Sequence, residues 1–361
     1  MPEDHVYIDV GTLQSFTKDV FIGLGVPKED ANICSDVLIA SDLHGIESHG
    51  VQRLKKYYEW LKTGIQSPVT KIAIVKESPT TARLDAGHGM GHVAAYRAME
   101  LAIKKAKEYG TGAISVGNST HFGIAGYYPL MAVKEEMIGI TVTNARPSVA
   151  PTFGIEPILG TNPIAIGIPT DEKVPFLIDC ATSITARGKI EVYGRTDAPI
   201  PEGWVINGKG GYTMDSVQIL EELNQGAAAM LPLGGVGEIL GGHKGYGYAT
   251  AVEILSAALW GGPFLKDLIP IKGYNLGHFF LVINVESFIE LATFKKVAGE
   301  ICRALRNSKK APGQARIYTA GEKEYEMEKI RRKTGIPINR SLQQELVNMN
   351  SELSLNYNFN F

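Results

Sequence analysis

The sequence predicts an α/β protein in which a strand-and-helix middle is inserted into helical segments drawn from both chain ends. Three observations lead there: residues 10–63 carry helical signals and no strand pattern, residues 71–285 alternate short apolar runs with helical stretches, and helical periodicity returns after residue 290. The expected division is a helical unit of 1–75 plus 290–361 around an α/β unit of 76–289.

The elements follow in order. Residues 10–25 form a first helix, and Pro27 opens a second that runs to 42, because proline in a first turn gives up an N–H that has no partner there. A third is expected over 47–63, with Val51, Leu54, Tyr58 and Leu61 at helical spacing and Gly64 at its end. The period changes at Lys71, where Ile72 and Ile74 alternate with Lys71 and Ala73, and an extended run over 81–85 follows a Ser-Pro turn. The helix 92–109 places Ala95, Met99, Ala102 and Ala106 on one stripe and closes at Gly110. Strands are expected over 112–116, 137–143, 164–168 and 176–179. Residues 195–242, rich in Gly, Pro and Asp, read as long loops, notably 199–203 and 207–211. A helix resumes near Tyr246, with Tyr248, Val252, Leu255 and Leu259 on one stripe, and an apolar strand covers 278–285. Helical patterns over 291–305 and 322–333 precede the tail, and no internal repeat is present.

The bulk properties remove several function classes. Hydrophobic residues make up 44% of the 361 and charged residues 20%, an ordinary globular balance. With 36 basic and 38 acidic side chains the net charge is -2, so nothing draws the chain to nucleic acid or to an acidic membrane. Cys34, Cys180 and Cys302 are odd in number and widely spaced, without a CxxC or Cys/His pattern, and read as free thiols in a reducing compartment. Residues 1–16 fit neither a signal nor a transit peptide, and no run approaches the ~20 apolar residues of a membrane span. A soluble, cytoplasmic protein is the expectation.

Four segments could carry chemistry. In the first, 42–53, His49 and Arg53 are four residues apart and share one face of a helix. A guanidinium there can grip a carboxylate through two parallel charge-assisted hydrogen bonds, with Ser48 and His49 beside it. It fits equally a surface pair with Glu47 or Asp42. The second, 118–126, puts His121 past the carboxyl end of a strand, where open sheets collect ligands. An imidazole of pKa ~6.5 can take a hydroxyl proton while hydride leaves the carbon, although a loop histidine held by a backbone bond reads the same way. The third is an apolar strand ending in Asp179, which could orient a histidine, hold a ribose hydroxyl or cap the next helix. The fourth, 241–247, is a glycine-rich run opening a helix, where free N–H groups and Lys244 suit an anion, or it is a plain turn. His243 and Gly245 break the P-loop pattern around that lysine. The run 87–92 fails as a dinucleotide fingerprint, because its third glycine comes one place early and no acid ends a second strand about 20 residues on. No HExxH, GxSxG or EF-hand loop is present, and no metal site is expected.

Taken together, Asp42-Leu-x-Gly-Ile-x-Ser-His-Gly with Arg53, Asn118-Ser-x-His-x-Gly, Leu159-Gly-Thr-Asn-Pro, Asp179-x-Ala-Thr-Ser and Gly241-Gly-His-Lys-Gly-Tyr-Gly resemble, in order, the type 2 malate/L-lactate dehydrogenase family. The family also includes sulfolactate and ureidoglycolate dehydrogenases and cyclic imine reductases. The resemblance implies NAD or NADP, a non-Rossmann mixed-sheet nucleotide-binding domain and a homodimer, with malate/oxaloacetate as the favoured small 2-hydroxy/2-oxo acid. It implies His121 as acid/base, Arg53 as carboxylate clamp, Ser48 and His49 in the same pocket, and Asp179 where catalytic and cofactor sites meet. Cofactor contacts are implied for Gly123, Ile124, Ala125, Thr143, Asn144, Asp179, Cys180, Ala181, His243 and Lys244. His44, Cys180 and Ala320 depart from the family pattern. A rival from another class is a non-catalytic carboxylate- or nucleotide-binding protein that kept the pocket.

Overall fold

The structure, a computed structural model, describes residues 5–195, 197–268 and 275–359. Strand β1 (Val6–Ile8) leads into α1 (Val10–Gly23), whose first turn is fixed by Asp9 accepting the Thr12 N–H at 2.9 Å. Then come α2 (Lys28–Leu43), two 3-10 turns (Glu47–His49 and Val51–Arg53) and α3 (Leu54–Lys62). The expected single helix over 47–63 is thus broken at Gly50, where the buried Asp42 carboxyl fills the space a side chain would need.

Next are β2 (Ala73–Glu77), β3 (Thr81–Asp85), α4 (Gly91–Tyr109), β4 (Thr111–Ser119), α5 (Tyr127–Lys134), β5 (Ile138–Thr143), β6 (Ile164–Ile168) and β7 (Phe176–Cys180). After them lie α6 (Arg187–Arg195), β8 (Val205–Asn207), α7 (Ser216–Gln225), β9 (Ala228–Met230) and α8 (Gly242–Glu253), the last continuing into a π-turn at Ile254–Ala258. The chain ends with β10 (Leu276–Ile283), α9 (Leu291–Arg306), α10 (Glu322–Thr334), β11 (Ile336–Ile338) and α11 (Arg340–Glu352).

A seven-stranded mixed sheet runs in the order β2-β3-β4-β10-β5-β6-β7. Only β3 and β4 are parallel; every other neighbouring pair is antiparallel. Strand β10 enters between β4 and β5 after a long excursion, which brings the ends of β4 and β5 to one side of the sheet. Helix α4 lies close to the sheet because its buried stripe is alanine (Ala94, Ala98, Ala102, Ala106) and because Gly112 faces it. A Cβ on Gly112 would come within 2.1 Å of the Ala102 carbonyl oxygen.

Both chain ends share one apolar core. Leu13, Phe16, Val20 and Leu38 pack with Leu54 and Tyr57 and with Ile336, Ile338, Leu342, Leu346 and Met349, and β1 pairs antiparallel with β11. Helix α9 leans the other way, toward the sheet: Arg303 holds Asp171 with both terminal nitrogens at 2.8 and 3.1 Å, and Arg306 holds Glu172 at 2.5 Å. A further small core, around Val149, Leu159, Ile190, Val205, Ile219 and Met230, corrects the expectation of long loops over 195–242. That stretch contains β8, α7 and β9, and its few buried apolar residues stand too far apart among Gly, Pro and Asp to make a visible period. Cys34, Cys180 and Cys302 are free thiols, and no helix among the described residues is long and apolar enough to cross a membrane.

Candidate active site

The first wall of the site is the broken turn after α2. Asp42 is buried, and its carboxylate accepts the Val51 N–H at 2.8 Å. It occupies the space a side chain at position 50 would need, since a Cβ there would meet Asp42 Oδ1 at 2.0 Å. Glycine and aspartate together therefore interrupt the helix and turn the chain. Burial pushes the Asp42 carboxyl up to about 7, opposed by the Val51 N–H that stabilises its ionised form. From α10, Arg331 donates to the Asp42 carbonyl and pairs with Glu47, so a helix from the far end of the chain pins this turn.

His49 and Arg53 consequently reach the same side through a turn, not along one helix face. The Ser48 hydroxyl is 2.9 Å from His49 Nδ1, and Arg53 Nε donates to the Ser48 carbonyl at 2.5 Å. The surface-pair alternative for Arg53 does not hold: Glu47 is committed to Arg331, and the Asp42 carboxylate to the Val51 N–H.

The second wall is the loop after β4. Thr120 Oγ1 accepts from Gln66 Nε2 at 2.6 Å and from the Gly91 N–H at 2.9 Å. Phe122 stacks on His278, ring centroids 4.5 Å apart, and His278 is itself held by Ser119 Oγ at 2.8 Å and Thr143 Oγ1 at 2.7 Å. Between these fixed neighbours, His121 Nδ1 lies 2.5 Å from the Tyr57 hydroxyl and takes a longer contact, 3.3 Å, from the Gly123 N–H. That leaves Nε2 for a ligand. The His49 and His121 rings stack with centroids 5.5 Å apart. Burial first, then His49 and Arg53, hold the His121 pKa well below the usual histidine value; burial and Arg53 bring His49 down to about 4. Both rings are neutral at pH 7.

The two walls face one cleft with two lobes. His49, Arg53, His121 and Gly123 border both. One lobe, ≈ 410 Å³, adds Lys56, Trp60, Thr143, Asn144 and Leu276. The other, ≈ 400 Å³, adds Ser48, Ile124, Ala125, Asp179, Cys180 and Ala181. Arg146 and Arg187 border both as well, so the cleft is strongly cationic.

Asp179 accepts the Gly126 N–H at 2.7 Å, at the start of α5, and burial raises its carboxyl to about 6. It therefore serves a helix that precedes it in the chain, not the next one, and it makes no bond to a histidine. Asn144 Oδ1 accepts the Gly277 N–H at 2.9 Å, and its Nδ2 donates to the buried Glu253 at 3.3 Å. His243 and Lys244 sit exposed on the first turn of α8 and border neither lobe. Their link to a cofactor stands on the resemblance alone.

Sequence reasoning missed Tyr57, Lys56, Arg146 and Arg187. A signal for Tyr57 existed: it lies four residues past Arg53, the spacing used to join His49 to Arg53. The apolar stripe drew attention to Tyr58 instead.

A family model described as malate/L-lactate dehydrogenase matches residues 8–347. The chain belongs to that family. It is 49% identical to the malate dehydrogenase of Pyrococcus horikoshii over 346 residues, 95% of this chain and 94% of that one. It is 42% identical to the L-sulfolactate dehydrogenase of Methanocaldococcus jannaschii, over 94% of each chain. The crystal structure of malate dehydrogenase from Entamoeba histolytica superposes with a TM-score of 0.96 at 45% identity, covering 99% of this chain and 100% of that one. The protein is a dehydrogenase, an oxidoreductase that uses a nicotinamide cofactor and acts on small hydroxy or oxo acids.

The cleft suits such a cofactor. The second lobe combines apolar Ile124, Ala125 and Ala181 with the carboxyl of Asp179, a lining that fits an aromatic amide ring and ribose hydroxyls.

Proposed function

We propose that this dehydrogenase interconverts malate and oxaloacetate with NAD or NADP, Arg53 and His121 acting on one acid in one cleft. The observation that carries the reading is the convergence of a guanidinium with no acidic partner among the described residues and an imidazole with an available Nε2, from positions 68 residues apart in sequence. The names of the relatives at 49% and 45% identity favour malate over the other family substrates.

Bound NAD(P) supplies the hydride acceptor or donor at nicotinamide C4. Gly123, Ile124, Ala125, Asp179, Cys180 and Ala181 would hold it from one lobe, and Thr143 and Asn144 from the other; His243 and Lys244 join them on the resemblance. Arg53 binds the carboxylate next to the reacting carbon, and its orientation is kept by the Ser48 carbonyl on Nε. In the oxidative direction His121 Nε2 takes the hydroxyl proton. The working tautomer then carries its own proton on Nδ1, donated to the Tyr57 oxygen, and in taking it up Nδ1 gives up the long 3.3 Å contact from the Gly123 N–H, which needs an unprotonated Nδ1. A hydroxyl that can donate or accept suits this tautomer and the imidazolium alike. The acid's negative charge offsets Arg53, which otherwise lowers the His121 pKa, and so helps the ring hold the proton it must return in reduction. Ser48 keeps His49 stacked beside His121.

The remaining parts of the reading are a homodimer, a cytoplasmic location and a helical unit of 1–75 plus 290–361 around a nucleotide-binding unit of 76–289. The shared core of the chain ends supports that division, with α9 as the tie between units. A sheet with a single parallel pair supports a nucleotide-binding unit distinct from the doubly wound Rossmann type. An apolar groove of ≈ 530 Å³ beside exposed Ile254, Leu259 and Phe264 supports association of two chains. The test is NADH and NADPH oxidation with oxaloacetate, pyruvate, sulfopyruvate and piperideine-2-carboxylate. Fastest turnover is expected with oxaloacetate; inactivity with all four would favour a non-catalytic binding protein.

A further inference from the structure

Glu253, at the end of α8, is buried and borders neither lobe of the cleft. Its partners among the described residues are three N–H groups and no cation. Oε1 accepts from Asn144 Nδ2 at 3.3 Å and from the Leu265 N–H at 3.0 Å, and Oε2 accepts from Asn162 Nδ2 at 2.9 Å. Neither asparagine can turn its amide over without loss. Asn144 Oδ1 takes the Gly277 N–H at 2.9 Å, Asn162 Oδ1 takes the Ala145 N–H at 3.1 Å, and Asn162 Nδ2 also donates to the Ala249 carbonyl at 2.9 Å. Both amide nitrogens are therefore directed at Glu253, which must accept on both oxygens. A carboxylate does so, and an amide of the same size does not.

The segments so held form part of the rim of the lobe that lacks Asp179. Thr143, Asn144 and Ala145 from the end of β5, Thr161 and Pro163 from the approach to β6, and Leu276 from the start of β10 all border it. The helix leaves α geometry directly after Glu253, at the π-turn Ile254–Ala258, a distortion that recurs at functional sites. Gly277 packs closely on that turn: a Cβ there would come within 1.8 Å of the Ser256 carbonyl oxygen. Three strand ends thus meet around one carboxylate. We propose that Glu253 is a positioning residue for cofactor binding, which touches no ligand but fixes, through the Asn144 and Asn162 amides, the rim formed by residues 143–145 and 161–163. This rests on the reading above in which Thr143 and Asn144 hold NAD(P). The mount of Arg53 depends on Asp42 and Arg331, outside this network, so loss of Glu253 acts on the cofactor and not on the acid.

The test measures the NADH dissociation constant by fluorescence titration without acid, KM for oxaloacetate at saturating NADH, and the melting temperature. Glu253→Gln sets an amide N–H against the asparagine N–H groups and should weaken NADH binding about 3- to 10-fold, the worth of one hydrogen bond, while KM for oxaloacetate changes less than about twofold. Asn162→Gly suits the backbone φ of +36° and removes the link from Glu253 to the Ala145 N–H, so it should weaken NADH binding too, even where the glutamine variant fails to fold. Val252→Ala, a cavity in the same helix, should lower the melting temperature and leave both constants unchanged. In an Asn144→Ala background the effect of Glu253→Gln should shrink, because the two side chains act through one bond. Wild-type NADH affinity in Glu253→Gln and Asn162→Gly, a loss matched by Val252→Ala, or an undiminished effect in the Asn144→Ala background would overturn the positioning role and leave the cofactor reading standing. Wild-type NADH affinity in Asn144→Ala itself would overturn the reading of Asn144 as a cofactor contact, and the proposal with it.

Discussion

The two walls of the cleft are held by different physics. The wall carrying Arg53 depends on a buried carboxylate, a glycine that gives it room and an arginine from α10; the wall carrying His121 depends on neutral hydrogen bonds and stacked rings. The proposed clamp, Arg53, therefore sits on a mount whose central group, Asp42, has its pKa raised to about 7, and the proposed base, His121, sits on one whose supporting His278 has a pKa pressed down to about 3. In the proposed mechanism, proton transfer at His121 is thus insulated from titration of that support, and substrate binding at Arg53 is not.

The sharpest way to break the contrast is His121→Ala. Removing a positioned acid/base should lower kcat by ~100- to 10,000-fold while the NADH dissociation constant changes little, as read by steady-state kinetics and by fluorescence titration. Near-normal turnover would take His121 out of the chemistry.

Next in size is Asp42→Asn. The folded-state pKa of Asp42 is raised from 3.8 to about 7, so the folded protein binds the extra proton and the unfolded chain does not over that interval. The contribution of this group to stability is therefore greatest below pH 3.8 and is lost as pH rises through 7, amounting to roughly 4 kcal/mol at full effect. Asparagine can still accept the Val51 N–H and does not ionise. Denaturant unfolding of the two proteins across pH 4–8 should show the variant gaining relative to wild type as pH rises; parallel curves would mean that Asp42 does not titrate in this range.

The smaller effect is expected from Tyr57→Phe. It deletes one hydrogen bond to His121 Nδ1, about 0.5–1.5 kcal/mol, so kcat should fall up to about tenfold, with the acid limb of the pH profile of kcat/KM displaced. A lower kcat with an unmoved limb would reduce Tyr57 to packing.

Much of this was written locally in the chain. The strand Ile164–Ile168, the helix ending at Gly110 and the helical ends follow from period and from Gly and Pro placement, because those signals depend on neighbours. What could not be read depends on partners far away. Nothing local announces that β10 enters between β4 and β5, that Asp42 fills the space beside Gly50, or that Asp179 serves α5 instead of the helix after it. For the site, His49, Arg53 and His121 stood out as polar groups at motif positions. Tyr57 was hidden because a tyrosine among apolar neighbours reads as core, and core it is, except for one oxygen.

The most direct test is a crystal structure of the protein with NADH and oxamate, an unreactive 2-oxo acid mimic. The oxamate carboxylate should lie on the Arg53 guanidinium and its amide oxygen on His121 Nε2, each at hydrogen-bonding distance, about 2.7–3.2 Å. Oxamate bound away from either side chain would contradict the convergence on which the mechanism depends.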